Sequence, residues 1–166
     1  MNITLLLSKL GLSPALSQDI MLIIFVALVS FVYGMLLGKH RIMAVLINIY
    51  TSLALVTVVP ETFIADYNTK LIVFFVLVIG LTVLSKRFFD LSLSGSGSWF
   101  MFRVFSMSFL QIVLLLSIAF SITPKKIALG YISPNAFDYL TTGYGPLIWM
   151  ALPLVFMFFI YKQINK

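Results

Sequence analysis

Polar residues interrupt this hydrophobic chain at intervals that mark out five apolar stretches. The clearest runs from Ile20 to Gly38, 19 residues without a charge, opened by Asp19 and closed by Lys39, His40 and Arg41. A second, Ile42 to Val59, has 18 residues and ends at Pro60. Only residues 39–41 separate the two, which predicts a tight helical hairpin with the second stretch antiparallel to the first. Glu61 to Lys70 is polar, and Leu71 to Leu84 then supplies only 14 uncharged residues. At about 1.5 Å per residue that is about 21 Å. A hydrocarbon core is about 30 Å thick, so this span needs Lys70 and Lys86 to snorkel, or Phe88 and Phe89 to extend it. The fourth stretch is Trp99 to Ile122, stopped by Pro124. The fifth, Tyr144 to Tyr161, contains Pro153, which predicts a kink. The expected spans are therefore 20–38, 42–59, 71–84, 99–122 and 144–161.

The remaining segments read as interfacial or connecting. In residues 1–18 a leucine-rich run is broken by Lys9, Gly11 and Pro14. That pattern suits an interfacial amphipathic segment better than a cleaved signal, which needs an uninterrupted apolar core. Residues 19–166 then form a single transmembrane domain. Residues 90–98, Asp-Leu-Ser-Leu-Ser-Gly-Ser-Gly-Ser, read as a flexible connector, because alternating Ser and Gly cannot hold a helix against its entropy cost. A phosphate-binding loop would need a Gly-Lys-Ser/Thr ending, which is missing. Residues 124–143 read as a loop with a short interfacial helix.

Composition fixes the class. Hydrophobic residues make up 61% of the 166 and charged residues 10%, and the mean hydropathy is +1.12. A soluble domain runs about 45–50% apolar and about 25% charged. A sizeable extramembrane domain, and with it most soluble-enzyme folds, is excluded. The expectation is an all-α polytopic membrane protein, a five-helix transmembrane bundle with a short N-terminal interfacial segment. The chain has no cysteine, so it has no thiolate metal site and no cysteine nucleophile.

The net charge of +6 reads as a topology signal and as attraction to anionic lipid, not as nucleic-acid binding. Five spans would put Lys39, Arg41, Lys86, Arg87, Arg103, Lys162 and Lys166 on one side. Lys9, Lys70, Lys125 and Lys126 fall on the other. The richer side belongs in the cytoplasm, which places the N-terminus outside and the C-terminus inside. Lys39, Arg41, Lys86, Arg87 and Arg103 are then cytoplasmic basic anchors. The expected partners are the lipid bilayer and other membrane proteins or a second copy.

Few residues could carry chemistry. Ser30, Gly34 and Gly38 repeat every four residues along one face of the first span, a small-residue stripe that lets a second helix approach closely. The sequence favours an intramolecular neighbour, span two or span four, over a second copy. Asn48 and Ser52 lie four apart on the second span, below Ala44, and should turn inward because lipid cannot satisfy an amide. Arg103, Met107 and Gln111 form a similar row on the fourth span. Mid-span Gln111 admits two readings, a helix–helix hydrogen bond or the wall of a solute path. No Asp or Glu lies inside a span, which argues against a proton-coupled carrier. The single histidine, His40, sits between two cations, which disfavours metal binding. No catalytic motif is present, and no cofactor is expected. The chain reads as a non-enzymatic scaffold or accessory subunit, with a small pore or carrier as the alternative.

Asp19-Ile-Met-Leu, the first span, Gly34-Met-Leu-Leu-Gly38-Lys-His-Arg41 and a second span through Tyr50 resemble the opening of the colicin V production protein (CvpA) family. In that family an acid precedes the first span and a Gly-plus-basic turn leads into the second. The connector 85–98 and Arg103 at the foot of the fourth span are also similar, so the resemblance covers about residues 19–122. It departs at Ile42-Met43, where the family has an acid, and at Ser106 and Ser108, where it has glycines. The resemblance implies a small bacterial inner-membrane protein linked to toxin secretion or envelope homeostasis.

Overall fold

In the computed structural model, the described residues are 14–60, 62–85 and 98–164, with side chains described except at 14–15, 38–40, 98–100 and 161–164. Among them every regular element is a helix: α1 Pro14–Val58, α2 Tyr67–Ser85, α3 Ser98–Ile122, α4 Lys125–Ala128, α5 Pro134–Thr141 and α6 Gly145–Ile164. Five of the six prolines punctuate these helices. Pro14, Pro134 and Pro146 lie in a first turn, where the missing N–H costs nothing. Pro60 and Pro124 follow the ends of α1 and α3, because proline disfavours helical backbone in the residue before it.

The principal difference from the sequence expectation lies in α1. No loop separates the first two spans; helical backbone runs through residues 39–41. A three-residue turn is thus replaced by a change of direction taken within the helix, and the contacts require it. A Cβ on Gly34 would lie 3.5 Å from Val104 Cγ1 and 2.8 Å from Ser108 Oγ, while Val26 faces Phe109, Val113 and Leu116 across a shared cleft. The first arm of α1 therefore runs antiparallel to α3. Gln111 lies between Ser108 and Val113, yet its amide reaches the Ile42 carbonyl at 2.6 Å. In a straight helix Ile42 would sit about 12 Å beyond Gly34, on the side away from Val26. The axis of α1 therefore bends between Gly34 and Ile42, and both arms lie on α3.

Four helical stretches are long and apolar enough to cross a membrane: Leu16–Leu37, Arg41–Val58, Tyr67–Ser85 and Met101–Ile122. The third is longer than the sequence suggested, because Tyr67 to Lys70 form its first turn, so α2 has 19 residues. The fifth expected span, 144–161, corresponds to α6, Gly145–Ile164, and α5 with α6 adds a fifth candidate span if the bent pair is taken as one. α5 and α6 meet at 62°, the turn being taken at residues 142–144, where Gly143 has a φ of 60° that a side chain would oppose. Pro153 is buried inside α6. The connector at 90–98 loses Ser98 to α3, and the rest of it lies outside the described residues, as do residues 1–13.

α3 is the hub, packing against α1, α2, α5 and α6. One apolar core joins Ile42, Leu46 and Ile49 of α1 to Phe74 of α2 and to Met107, Leu114 and Ile118 of α3. A second joins Val26 and Val113 to Ala128, Ile132, Phe137 and Leu140. The outward faces are equally apolar: Ile23, Ile24, Phe25, Leu28, Met35 and Leu36 all project from the first arm. Water would oppose that surface and hydrocarbon would not.

Candidate functional site: polar groups inside the bundle

Several polar side chains within the spans are buried between helices. Gln111 is fully buried on α3. Its Nε2 donates to the Ile42 carbonyl at 2.6 Å, and its Oε1 accepts from the Tyr33 hydroxyl at 3.0 Å. One amide thereby ties both arms of α1 to α3. The carbonyl of Ile42 is within reach because it lies close to the bend, and a carbonyl has a second lone pair beyond its helical hydrogen bond.

Asn48 does the same for α1 and α2. Its Nδ2 donates to Ser85 Oγ at 2.8 Å and to Thr82 Oγ1 at 3.4 Å; Ser85 passes its own proton to the Leu81 carbonyl at 2.7 Å. Ala44, Asn48 and Ser52 are all buried, as the four-residue spacing requires once one member faces inward. Ser52 and Ser108 keep buried hydroxyl oxygens without a hydrogen-bond partner among the described residues. Ser108 lies against Gly34, and this close approach leaves no room for a side chain there. Ser30 turns its hydroxyl back to the Val26 carbonyl at 2.6 Å, which satisfies it within its own helix.

A third set joins the bent pair to the bundle. Ser133 is the N-cap of α5; its hydroxyl accepts from the Ala136 amide at 3.1 Å and donates to the Asp19 carboxylate. Ser117 of α3 donates to the Leu140 carbonyl at 2.7 Å. Tyr50 donates to the Met150 carbonyl of α6.

Of the residues singled out in the sequence, Gly34, Asn48, Ser52, Ser30 and Gln111 are thus buried between helices, though they form no single cluster. Arg41 is exposed and Arg103 half-buried. The side chains of Gly38, Lys39 and His40, and all of Lys86 and Arg87, lie outside the described residues. Tyr33, Tyr50, Ser85, Ser117 and the Asp19–Ser133 pair were not singled out. The signal for Tyr33 was its position three residues from Ser30, next to the small-residue stripe. The turn at 142–145 was signalled by Gly143-Tyr-Gly-Pro146, a strong breaker sequence. Gly145 packs its backbone against the Tyr139 carbonyl, where a Cβ would collide. Among the described residues no three His, Cys, Asp or Glu side chains group as a metal site would require. No protein-family model, no curated protein and no solved structure matches the chain.

Proposed function

We propose that this protein is a non-enzymatic scaffold or accessory subunit of a membrane, acting through the apolar outer faces of its helices. The observation that supports the reading is the bonding of Gln111. A polar group lining a solute path must be reachable from that path, whereas Gln111 is fully buried and bonds to Tyr33 and Ile42 of the neighbouring helix. The seven-to-four distribution of bases supports an N-terminus outside and a C-terminus in the cytoplasm. The resemblance of residues 19–122 to the colicin V production family supports a bacterial inner membrane and a role in envelope homeostasis or toxin secretion.

The test is reconstitution into liposomes together with photo-crosslinking in native membranes. The scaffold reading expects no ion or small-solute flux under any imposed gradient. It also expects a discrete protein adduct from a crosslinker placed at Phe25 or Leu28, both exposed on the first arm. Flux that Gln111→Leu abolishes would establish the pore or carrier reading instead. Lack of any discrete adduct from either position would remove the scaffold.

A further inference from the structure

A cleft of about 450 Å³ opens between the first arm of α1, α3 and the bent pair α5–α6. Its walls are apolar, formed by Leu22, Val26, Phe109, Val113 and Leu116, and it also touches Asp19, Tyr139 and Trp149. Asp19 is the one charged residue on this wall. Among the described residues its hydrogen-bond partner is the Ser133 hydroxyl, and no Lys or Arg pairs with it. A carboxylate has about four acceptor positions, and the bond to Ser133 uses one of them.

The cleft opens sideways. Ile23 is 60% exposed and Tyr139 77% exposed on its rim, so the space communicates with the surface that faces hydrocarbon. Tyr131, Tyr139 and Tyr144 are all exposed around α5, and exposed aromatic rings of this kind collect at the membrane–water boundary. The mouth therefore lies at headgroup depth and the slot at acyl-chain depth. A shallow, largely apolar hollow that also touches Asn135, Asp138 and Thr142 shares Tyr139 and Trp149 with the slot. A carboxylate on a cleft that also carries the side chains of Tyr139 and Trp149 is suited to an ammonium, through a charge-assisted hydrogen bond with cation–π attraction from the rings.

We propose that this cleft binds one phospholipid of the surrounding bilayer whose headgroup carries a primary ammonium, with an acyl chain in the slot and the ammonium on Asp19. The bilayer is the source because the cleft opens through the lipid-facing surface. An anionic headgroup without an ammonium would meet the Asp19 carboxylate with like charge.

The experiment is native mass spectrometry of the full chain in detergent micelles, titrated with dioleoyl phosphatidylethanolamine or dioleoyl phosphatidylglycerol. The expected result is one retained phosphatidylethanolamine per chain, with a preference of about tenfold over phosphatidylglycerol, the scale of a hydrogen bond to a charged group. Asp19→Asn keeps an acceptor for Ser133 and should abolish the preference. Ile23→Trp, on the exposed rim, should fill the slot and abolish retention of both lipids, and it decides the matter if Asp19→Asn does not fold. Equal retention of the two lipids by the unaltered chain overturns the proposal. So does a preference that survives Asp19→Asn, or retention of phosphatidylethanolamine that Ile23→Trp leaves unchanged.

Discussion

Ser133 donates its hydroxyl proton to Asp19 across 114 residues of sequence, joining the start of α1 to the N-cap of α5. The same oxygen accepts from the Ala136 amide, so one hydroxyl both caps α5 and anchors it. Asp19 thereby sits at the N-terminal end of α5, where the helix dipole favours negative charge. Ser133→Ala removes both hydrogen bonds. Loss of an N-cap costs about 1 kcal/mol, and a lower melting temperature in detergent should record it. Asp19→Asn, which keeps an acceptor oxygen, should lower the melting temperature less than Ser133→Ala does.

Gly34 is a close approach between α1 and α3. A Cβ there would already press on Ser108 Oγ at 2.8 Å; a leucine would overpack the contact at a cost of about 1–3 kcal/mol. Met35 is 68% exposed, and Met35→Leu conserves volume. Gly34→Leu should therefore lower the detergent melting temperature clearly more than Met35→Leu, and equal small effects would contradict this packing.

Gln111→Leu should destabilise by about 1–3 kcal/mol, because it strands the Tyr33 hydroxyl among apolar groups. Tyr33→Phe removes that stranded hydroxyl. In the double variant, Tyr33→Phe should cost less than it does alone, since replacing both partners of a hydrogen bond is far cheaper than replacing one. A double-mutant cycle on melting in detergent measures the coupling, and strict additivity would mean that the two side chains do not interact.

Lys125 and Asp138 pair at 3.3 Å, but their side chains are 59% and 52% exposed. An exposed pair is worth only about 0–1 kcal/mol and is screened by salt. Lys125→Ala should leave the melting temperature within a degree or so of the unaltered chain, about the effect expected at the low end of that range.

Orientation can be tested cleanly because the chain has no cysteine. With the N-terminus outside, Asp66→Cys and Lys126→Cys should react with a membrane-impermeant maleimide on intact cells. Arg41→Cys should react only after permeabilisation. The reverse pattern would invert the topology, and labelling of all three on intact cells would remove the polytopic arrangement.

Much of the fold was legible because hydrocarbon imposes a simple condition on a chain. Backbone polar groups must be satisfied within each segment, so long uncharged runs become helices, and the prolines set most of their ends. The four-residue spacing of Ala44, Asn48 and Ser52 likewise specified a face, since residues four apart stack on one side of a helix. That Asn48 should seek a partner followed from the cost of an unpaired amide in lipid.

Spacing could not say which partner. Gln111 belongs with Tyr33 and Ile42 only because both arms of α1 meet α3 near the bend, and that bend was written as a loop in the pattern of charges at 39–41. The charges marked where the chain leaves the apolar phase; they carried no information on whether the backbone stays helical while it turns. The fifth span shows the same division. Pro153 carries the expectation of a kink within α6, but the 62° angle between α5 and α6 is taken at Gly143, where positive φ and the close approach of Gly145 to Tyr139 let α5 fold against α6. The sequence by itself determined which segments are helical and apolar, because that depends on local composition and solvent. Their angles, the bend in α1 and the pairing of Asp19 with Ser133 were decided by tertiary packing, which depends on which surfaces meet.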